Sequence, residues 1–299
     1  MPQYVVIDIG GTTIKHSVMN HEAECLKTGV TTTPKQGGNE IFNCLIDIVN
    51  YYKKSFLIKG VALSVPGAVN PEDGYVYFAG AVTDLTNRSL KKELSILNLP
   101  IELENDANCA TLAEKWRGNA TQCESFVCIT AGTGIGGGIF INGDLYRGEN
   151  GMAGEFGLMS LLFDEQLETV LDRFSFSNMG STRALVEEVS KELNQEISGQ
   201  EIFLRQDDIR INESLNKFYD AFALGCINLI HALAPEKLLI GGGISVQSQF
   251  VNEVKKRIKK VRKETLDITE LNSCYFRNDA GKIGALYHFL KRQKVDSHK

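Results

Sequence analysis

Three glycine clusters, each closing an apolar β-like run, constrain this chain more than any other feature: YVVIDIGGTT (4–13), FVCITAGTGIGGG (126–138) and KLLIGGGIS (237–245). A strand that ends in glycines can turn through φ > 0 and bring its backbone N–H groups around an anion. One such turn is ordinary; three at strand ends favour a nucleotide. The residues after the first two clusters decide which nucleotide fold is allowed. TTIKHSVM (12–19) and GIFINGDLYR (138–147) alternate like strands, so each cluster is the turn of a β-hairpin. Gly132, Gly134 and Gly137 satisfy G-x-G-x-x-G in spacing, but the dinucleotide fold needs a helix next, and none is encoded there. No G-x-x-x-x-G-K-[ST] occurs, which excludes the P-loop. Two such hairpins about half a chain apart point to an internal duplication.

The 299 residues suit two domains at roughly 150 residues each. Gly118 marks the expected junction: 1–117 forms one lobe, 118–279 the other, and a C-terminal helix at about 280–299 packs back on the first. Helical spacing covers 39–55, behind Asn39 as a candidate cap, and 105–116, 181–194, 213–234 and 246–264, while 61–69 reads as a buried strand and 101–104 as a short strand. With 32 basic and 37 acidic residues the formal charge is −5, which offers no broad footprint for nucleic acid or an anionic membrane. The seven cysteines (25, 44, 109, 123, 128, 226, 274) are scattered without a C-x-x-C, so neither a disulfide framework nor a zinc knuckle is expected. There is no apolar stretch of about 18 residues and no leader pattern before Tyr4, so a cytoplasmic location is expected. The glycosylation-like triplets at Asn87, Asn119 and Asn212 are then without meaning.

DIGGTTIK (8–15), SVPGAV (64–69), ENDANCATLAE (104–114), TAGTGIGGGI (130–139), GMAGEFG (151–157) and LLIGGGIS together resemble the ROK family of bacterial sugar kinases and repressors. The resemblance implies an α/β, actin-like ATPase (ribonuclease H-like) fold, two lobes with a nucleotide cleft between them. It implies ATP and Mg²⁺ as cofactors, a small sugar as partner, and a homodimer. Asp106 matches the catalytic base of similar kinases, a carboxylate that orients the attacking hydroxyl and takes its proton. Taken alone, an Asp at a helix start is more often an N-cap. Asn105 and Glu155 match sugar-binding residues, and Gly67 the turn that admits the sugar ring. Asp8 matches the acid that organises Mg²⁺ through water, with Gly10, Gly11, Thr12 and Thr13 bordering the phosphates. Lys15 is a candidate to neutralise phosphate charge, although a lysine on a hairpin strand is more often surface. Gly132, Thr133 and Gly134 match the second phosphate loop; Gly241, Gly242 and Gly243 match the segment beside the nucleoside.

The chain departs from the pattern at one place. Most ROK proteins hold zinc through the histidine of E-x-G-H and three cysteines, but here the first motif ends in Leu158 and FDEQLETVLDRFSFSNMGS (163–181) has no cysteine. No zinc is expected, since leucine cannot bind it. The position before Gly151, often histidine in similar proteins, is Asn150, and Ser177 falls where a second sugar-binding glutamate stands in them. Leu158 removes polar groups from the side where the sugar's C1 lies in relatives. A β-glucoside such as cellobiose, phosphorylated on O6, is therefore one expected substrate. Glucose and N-acetylmannosamine remain the alternatives. Two other classes share the phosphate loops: a ROK-type transcriptional regulator, for which only seven residues precede Asp8, and an actin-like ATPase that ignores sugar. The basic run KKRIKKVRK (255–263) reads as a solvated helix face.

Overall fold

The computed structural model describes every residue except Gln36, 164–166, Ser248 and 295–299. Part of the cysteine-free segment and the end of the expected C-terminal helix therefore lie outside the described residues. The chain divides into two compact units, Met1–Arg117 with Arg147–Ala153 and Asp279–Lys299, and Gly118–Tyr146 with Gly154–Asn278.

In the first unit, β1 (Gln3–Ile9), β2 (Thr13–Asn20), β3 (Cys25–Thr32), β4 (Ile58–Val65) and a later strand at Ile101–Asn105 form one sheet. Val5, Val6 and Ile7 are fully buried, as a strand covered on both faces requires. The outer strand β3, with Lys27 and three threonines, is mostly exposed and reads as an edge. Helix α1 (Glu40–Lys53) buries Ile41, Phe42, Leu45, Ile48, Val49 and Tyr52, the stripe its spacing predicts. Asn39 does not cap it. Its φ of −102° and ψ of 8° leave the extended region that a capping residue needs, and its Oδ1 accepts from Arg88 Nη2 at 3.0 Å instead. A small antiparallel sheet follows, made of β5 (Ala68–Asn70), β6 (Tyr75–Phe78) and β7 (Arg88–Ser89). The fifth strand of the main sheet is β8 (Ile101–Asn105), and it runs straight into α2 (Asp106–Arg117). The C-terminal helix (Ala280–Arg292) lies against α2 so closely that a side chain at Gly284 would overlap the Cys109 carbonyl.

The second unit holds β9 (Phe126–Ala131), β10 (Ile135–Ile141), β11 (Asp144–Tyr146), β12 (Lys237–Gly241) and β13 (Glu270–Ser273). Its helices α3 (Thr182–Leu193), α4 (Ile209–Leu233) and α5 (Phe250–Arg262) pack around Phe176, Phe218, Phe222 and Phe250. Asn142 and Gly143, at φ 53° and 80°, make the two-residue turn that the Asn-Gly pair encodes. The strand orders are β3-β2-β1-β4-β8 and β11-β10-β9-β12-β13. In each sheet the first three strands pair antiparallel and the last two join in parallel. The duplication suggested by two glycine hairpins is thus a duplication of the whole sheet. Among the described residues no helix is long and apolar enough to cross a membrane.

Candidate active site

Because β1, β4 and β8 are parallel, their carboxyl ends share one edge of the first sheet, where open α/β sheets bind ligands. Asp8 on β1 stands opposite Ser64 on β4, which stands opposite Glu104 on β8. Two strand spacings place Asp8 about 10 Å from the β8 end. Ser64 Oγ donates to Asp8 Oδ1 at 2.6 Å, and Lys15 on β2 is the partner of Asp8 across the hairpin. Burial holds the Asp8 carboxyl above the usual range, opposed by the Ser64 hydroxyl and the charges of Lys15 and Lys282. In the turn, Gly10 N–H donates to Thr13 O (3.1 Å), while Thr33 Oγ1 donates to Gly10 O (2.6 Å) and Thr33 N–H to Thr12 O (3.0 Å). Gly11 and Thr12 are exposed and Thr13 is half-buried. Over Asp8 lies the start of the C-terminal helix. A Cβ on Gly281 would come within 2.6 Å of Asp8 Oδ1 and 2.9 Å of Ser64 Oγ, so only glycine lets the helix sit there. Asp8 and Ser64 offer hard oxygen donors, the set that Mg²⁺ takes while keeping several waters.

At the β8–α2 junction the N-cap role belongs to Asn105, whose Oδ1 accepts from the Asn108 N–H at 3.0 Å. Asp106, the first helical residue, is exposed, and its Oδ1 accepts from Ala107 N–H (2.8 Å) and Asn105 Nδ2 (3.0 Å). Its carboxylate is held in orientation without serving as the cap. The same Asn105 amide donates to Gly67 O at 2.8 Å. Both amide protons of Asn105 are thereby committed, which leaves acceptor capacity on Oδ1 for a sugar hydroxyl. Gly67 sits at φ +89°, and a side chain there would collide with the Phe78 carbonyl. The pattern of Ile101 and Leu103 alternating with Glu102 and Glu104 suggests a solvent face for the acids, yet both are buried. Glu104 Oε1 accepts from Asn105 N–H (3.0 Å) and Asn108 Nδ2 (3.1 Å), and Oε2 from Arg147 Nε (2.8 Å), with His288 Nδ1 at 3.8 Å. Burial pushes the His288 imidazole down to about 4. Glu104 therefore ties Asn105, the residue before the candidate base, to Asn108 in the first turn of α2 and to Arg147 from a distant segment.

The second unit presents the other candidates at the matching edge of its sheet, where Thr130 pairs with Gly241. In the Gly132–Thr133–Gly134 turn the carbonyls are taken: Gly132 O accepts from Thr182 N–H (3.0 Å) and Thr133 O from Arg183 Nε (3.1 Å). Gly132 N–H bonds Gly134 O at 3.0 Å. Ser177 Oγ accepts from the Ile135 N–H at 2.9 Å and ties its segment to the strand that leaves the loop. Gly241 ends β12, Gly242 turns the chain at φ +85°, and Gly243 faces open space. Glu155 is half-buried, and burial raises its carboxyl. Three residues on, Leu158 N–H bonds Glu155 O at 3.1 Å, and the Leu158 side chain is 57% exposed, an apolar surface beside the acid. Ser64, Glu104, Arg147, Arg183 and Gly281 escape a reading of motifs. Ser64 lies inside the SVPGAV motif, and the Gly281/Gly284 pair at i, i+3 is the available sign of a closely packed helix.

Residues 4–292 match the model of the ROK family. The chain is 36% identical over 293 residues to a β-glucoside kinase of Listeria monocytogenes, covering 96% of this chain and 97% of that one. Among solved structures it is similar to a Listeria monocytogenes protein described as a candidate N-acetylmannosamine kinase, with 34% identity, TM-score 0.89, and 97% and 99% of the two chains covered. It is also similar to the ROK glucokinase of Streptomyces griseus in complex with glucose and AMPPNP, with 26% identity, TM-score 0.83, and 97% and 99% covered. Sheet order, glycine hairpins and full-length similarity agree: the chain belongs to the ROK family and has the mixed α/β, actin-like ATPase fold.

Proposed function

We propose that the protein is an ATP-dependent sugar kinase that phosphorylates the 6-hydroxyl of a hexose, with β-glucosides such as cellobiose as its acceptors. The observation that carries the reading is the Asn105–Asp106 junction, where one side chain caps the helix and thereby frees the next carboxylate for chemistry. Asp106 accepts the proton of O6 as the hydroxyl attacks the γ-phosphorus in line, and Asn105 holds both that carboxylate and the Gly67 turn in place. The glycine loops at 10–13 and 132–134 border the triphosphate, Lys15 balances its charge, and the 241–243 turn borders the nucleoside. Mg²⁺, held near Asp8 through water, would supply charge neutralisation on the phosphates. Glu155 binds sugar hydroxyls.

The exposed Leu158 beside Glu155 supports a substituent at C1, and so does the β-glucoside kinase at 36% identity. N-acetylmannosamine is the second reading, favoured by the similar structure at TM-score 0.89. Glucose is the third. The enzyme acts in the cytoplasm as a homodimer, the commonest closed assembly. ADP release measured with cellobiose, aryl β-glucosides, glucose, N-acetylmannosamine and N-acetylglucosamine tests the reading. Higher kcat/KM on the β-glucosides supports it; far better turnover of glucose or N-acetylmannosamine rejects the acceptor. ATP turnover indifferent to every sugar rejects the kinase.

A further inference from the structure

A cavity of about 280 Å³ lies within the first unit, away from the Asp8 loop, between the end of β5 and the Arg147–Gly151 segment. Asn70, Glu72, Tyr77, Arg147, Glu149 and Asn150 line it. We propose that this cavity is a subsite for the second, hydroxyl-rich sugar ring of a disaccharide β-glucoside; the inference rests on the acceptor class proposed above.

Amides, carboxylates and an aromatic ring in one small cavity match a neutral polyol, which offers hydroxyl donors and acceptors along its edges and C–H groups on its faces. Its walls are already rigid. Arg147 is held by the buried Glu104, and Glu72 by Arg292 at 2.8 Å. The Tyr77 ring packs edge-on against Tyr75 with centroids 5.2 Å apart. Ala153 N–H closes the segment onto Arg147 O at 2.9 Å, and Gly151 lies so near Val69 that a Cβ would come within 2.6 Å of its carbonyl. A phosphate or carboxylate ligand is disfavoured, because Glu72 and Glu149 face the cavity while the Arg147 Nε–H is spent on Glu104. The position fits a second ring. Gly67, whose carbonyl is tied to Asn105, is followed directly by Ala68, Val69 and Asn70, and three extended residues span about 10 Å. Glu104 joins the far wall at Arg147 to the residue preceding Asp106 by a single carboxylate.

The test compares cellobiose with methyl β-glucoside, which keeps the β-linkage but lacks the second ring, at saturating ATP. Wild type should show about tenfold higher kcat/KM for cellobiose. Tyr77→Ala should abolish that advantage and leave methyl β-glucoside within about twofold, while Tyr77→Phe should retain it. Glu149→Ala, at an exposed position on the opposite wall, provides a second reading if Tyr77→Ala loses its circular dichroism signal. Equal effects on both acceptors, or no effect on either, overturn the subsite. Wild type that prefers neither acceptor over the other overturns the subsite alone, whereas wild type that phosphorylates neither overturns the acceptor reading beneath it.

Discussion

The two glycine hairpins share one topology and differ in what they carry. In the first, Asp8 faces Lys15 across the strands and receives the Ser64 hydroxyl; in the second, the corresponding pair is Thr130 and Gly136. The first turn is overlain by Gly281 of the C-terminal helix, which brings a glycine backbone against a half-buried acid. The second is held by its carbonyls, through the start of α3 and the Arg183 guanidinium. The fifth strands differ in the same sense: β8 runs directly into α2 with Asp106 at its first position, while residues 274–279 separate β13 from the helix that follows it, Ala280–Arg292. A duplicated sheet has thus kept the scaffold twice, with Asp8 and Asp106 at the strand ends of one copy only, while Glu155 belongs to the other unit. Under the proposed function, the first copy would supply the carboxylates for metal and base, and the second a loop beside the phosphates.

That division predicts a graded series of defects. The largest is expected at Asp106→Asn, which keeps the hydrogen bonds around the junction but removes the base; turnover should fall at least about 100-fold with the melting temperature nearly unchanged. Wild-type turnover would remove Asp106 from the chemistry. Next comes Asp8→Asn, for which kcat should fall roughly 10- to 100-fold and the Mg²⁺ dependence should weaken. The unequal division of acids is wrong if this variant behaves like wild type. Arg183→Ala removes one support of the second turn, and the KM for ATP should rise by about three- to tenfold while the KM for sugar stays constant. A shift in the sugar KM instead would place that turn with the acceptor.

The smallest effect is on stability against pH and separates the buried network of the first unit from the second. His288 has a folded value of about 4 against an ordinary 6.5, so between those limits the unfolded chain binds a proton that the folded one refuses. Stability should decline as the pH is lowered from about 6.5 toward 4 and then level with respect to this group. His288→Gln should flatten that part of the melting-temperature profile. An unchanged acid slope would show that His288 does not contribute to it.

Much of this was readable from residue order. Strand ends are announced by glycine clusters because a chain that must turn or approach a phosphate has few other residues to use, and α1 by its apolar spacing. Function was less legible where it depends on contacts between distant segments. Glu102 and Glu104 alternate with apolar residues as a solvent-facing pair would; their burial follows from Lys91, Arg147 and Arg292, brought from elsewhere in the chain. Asn39 has the residue type of a cap but not the backbone conformation, since Arg88 draws its side chain away. Asn105 and Asp106 are both suitable caps by type, and only the hydrogen bond to Asn108 assigns that task to Asn105. Gly281 looks like a poor helix residue until Asp8 and Ser64 are seen beneath it.

The claim at the centre is that a sugar 6-hydroxyl aimed by Asp106 receives the γ-phosphoryl of ATP. Phosphorus–proton correlation spectra of the product formed from ATP, Mg²⁺ and cellobiose test it directly. The account predicts a single phosphomonoester coupled to the two C6 protons of the non-reducing ring, formed with one ADP per sugar. Phosphate on any other carbon, or ADP release without a phosphorylated sugar, would contradict it.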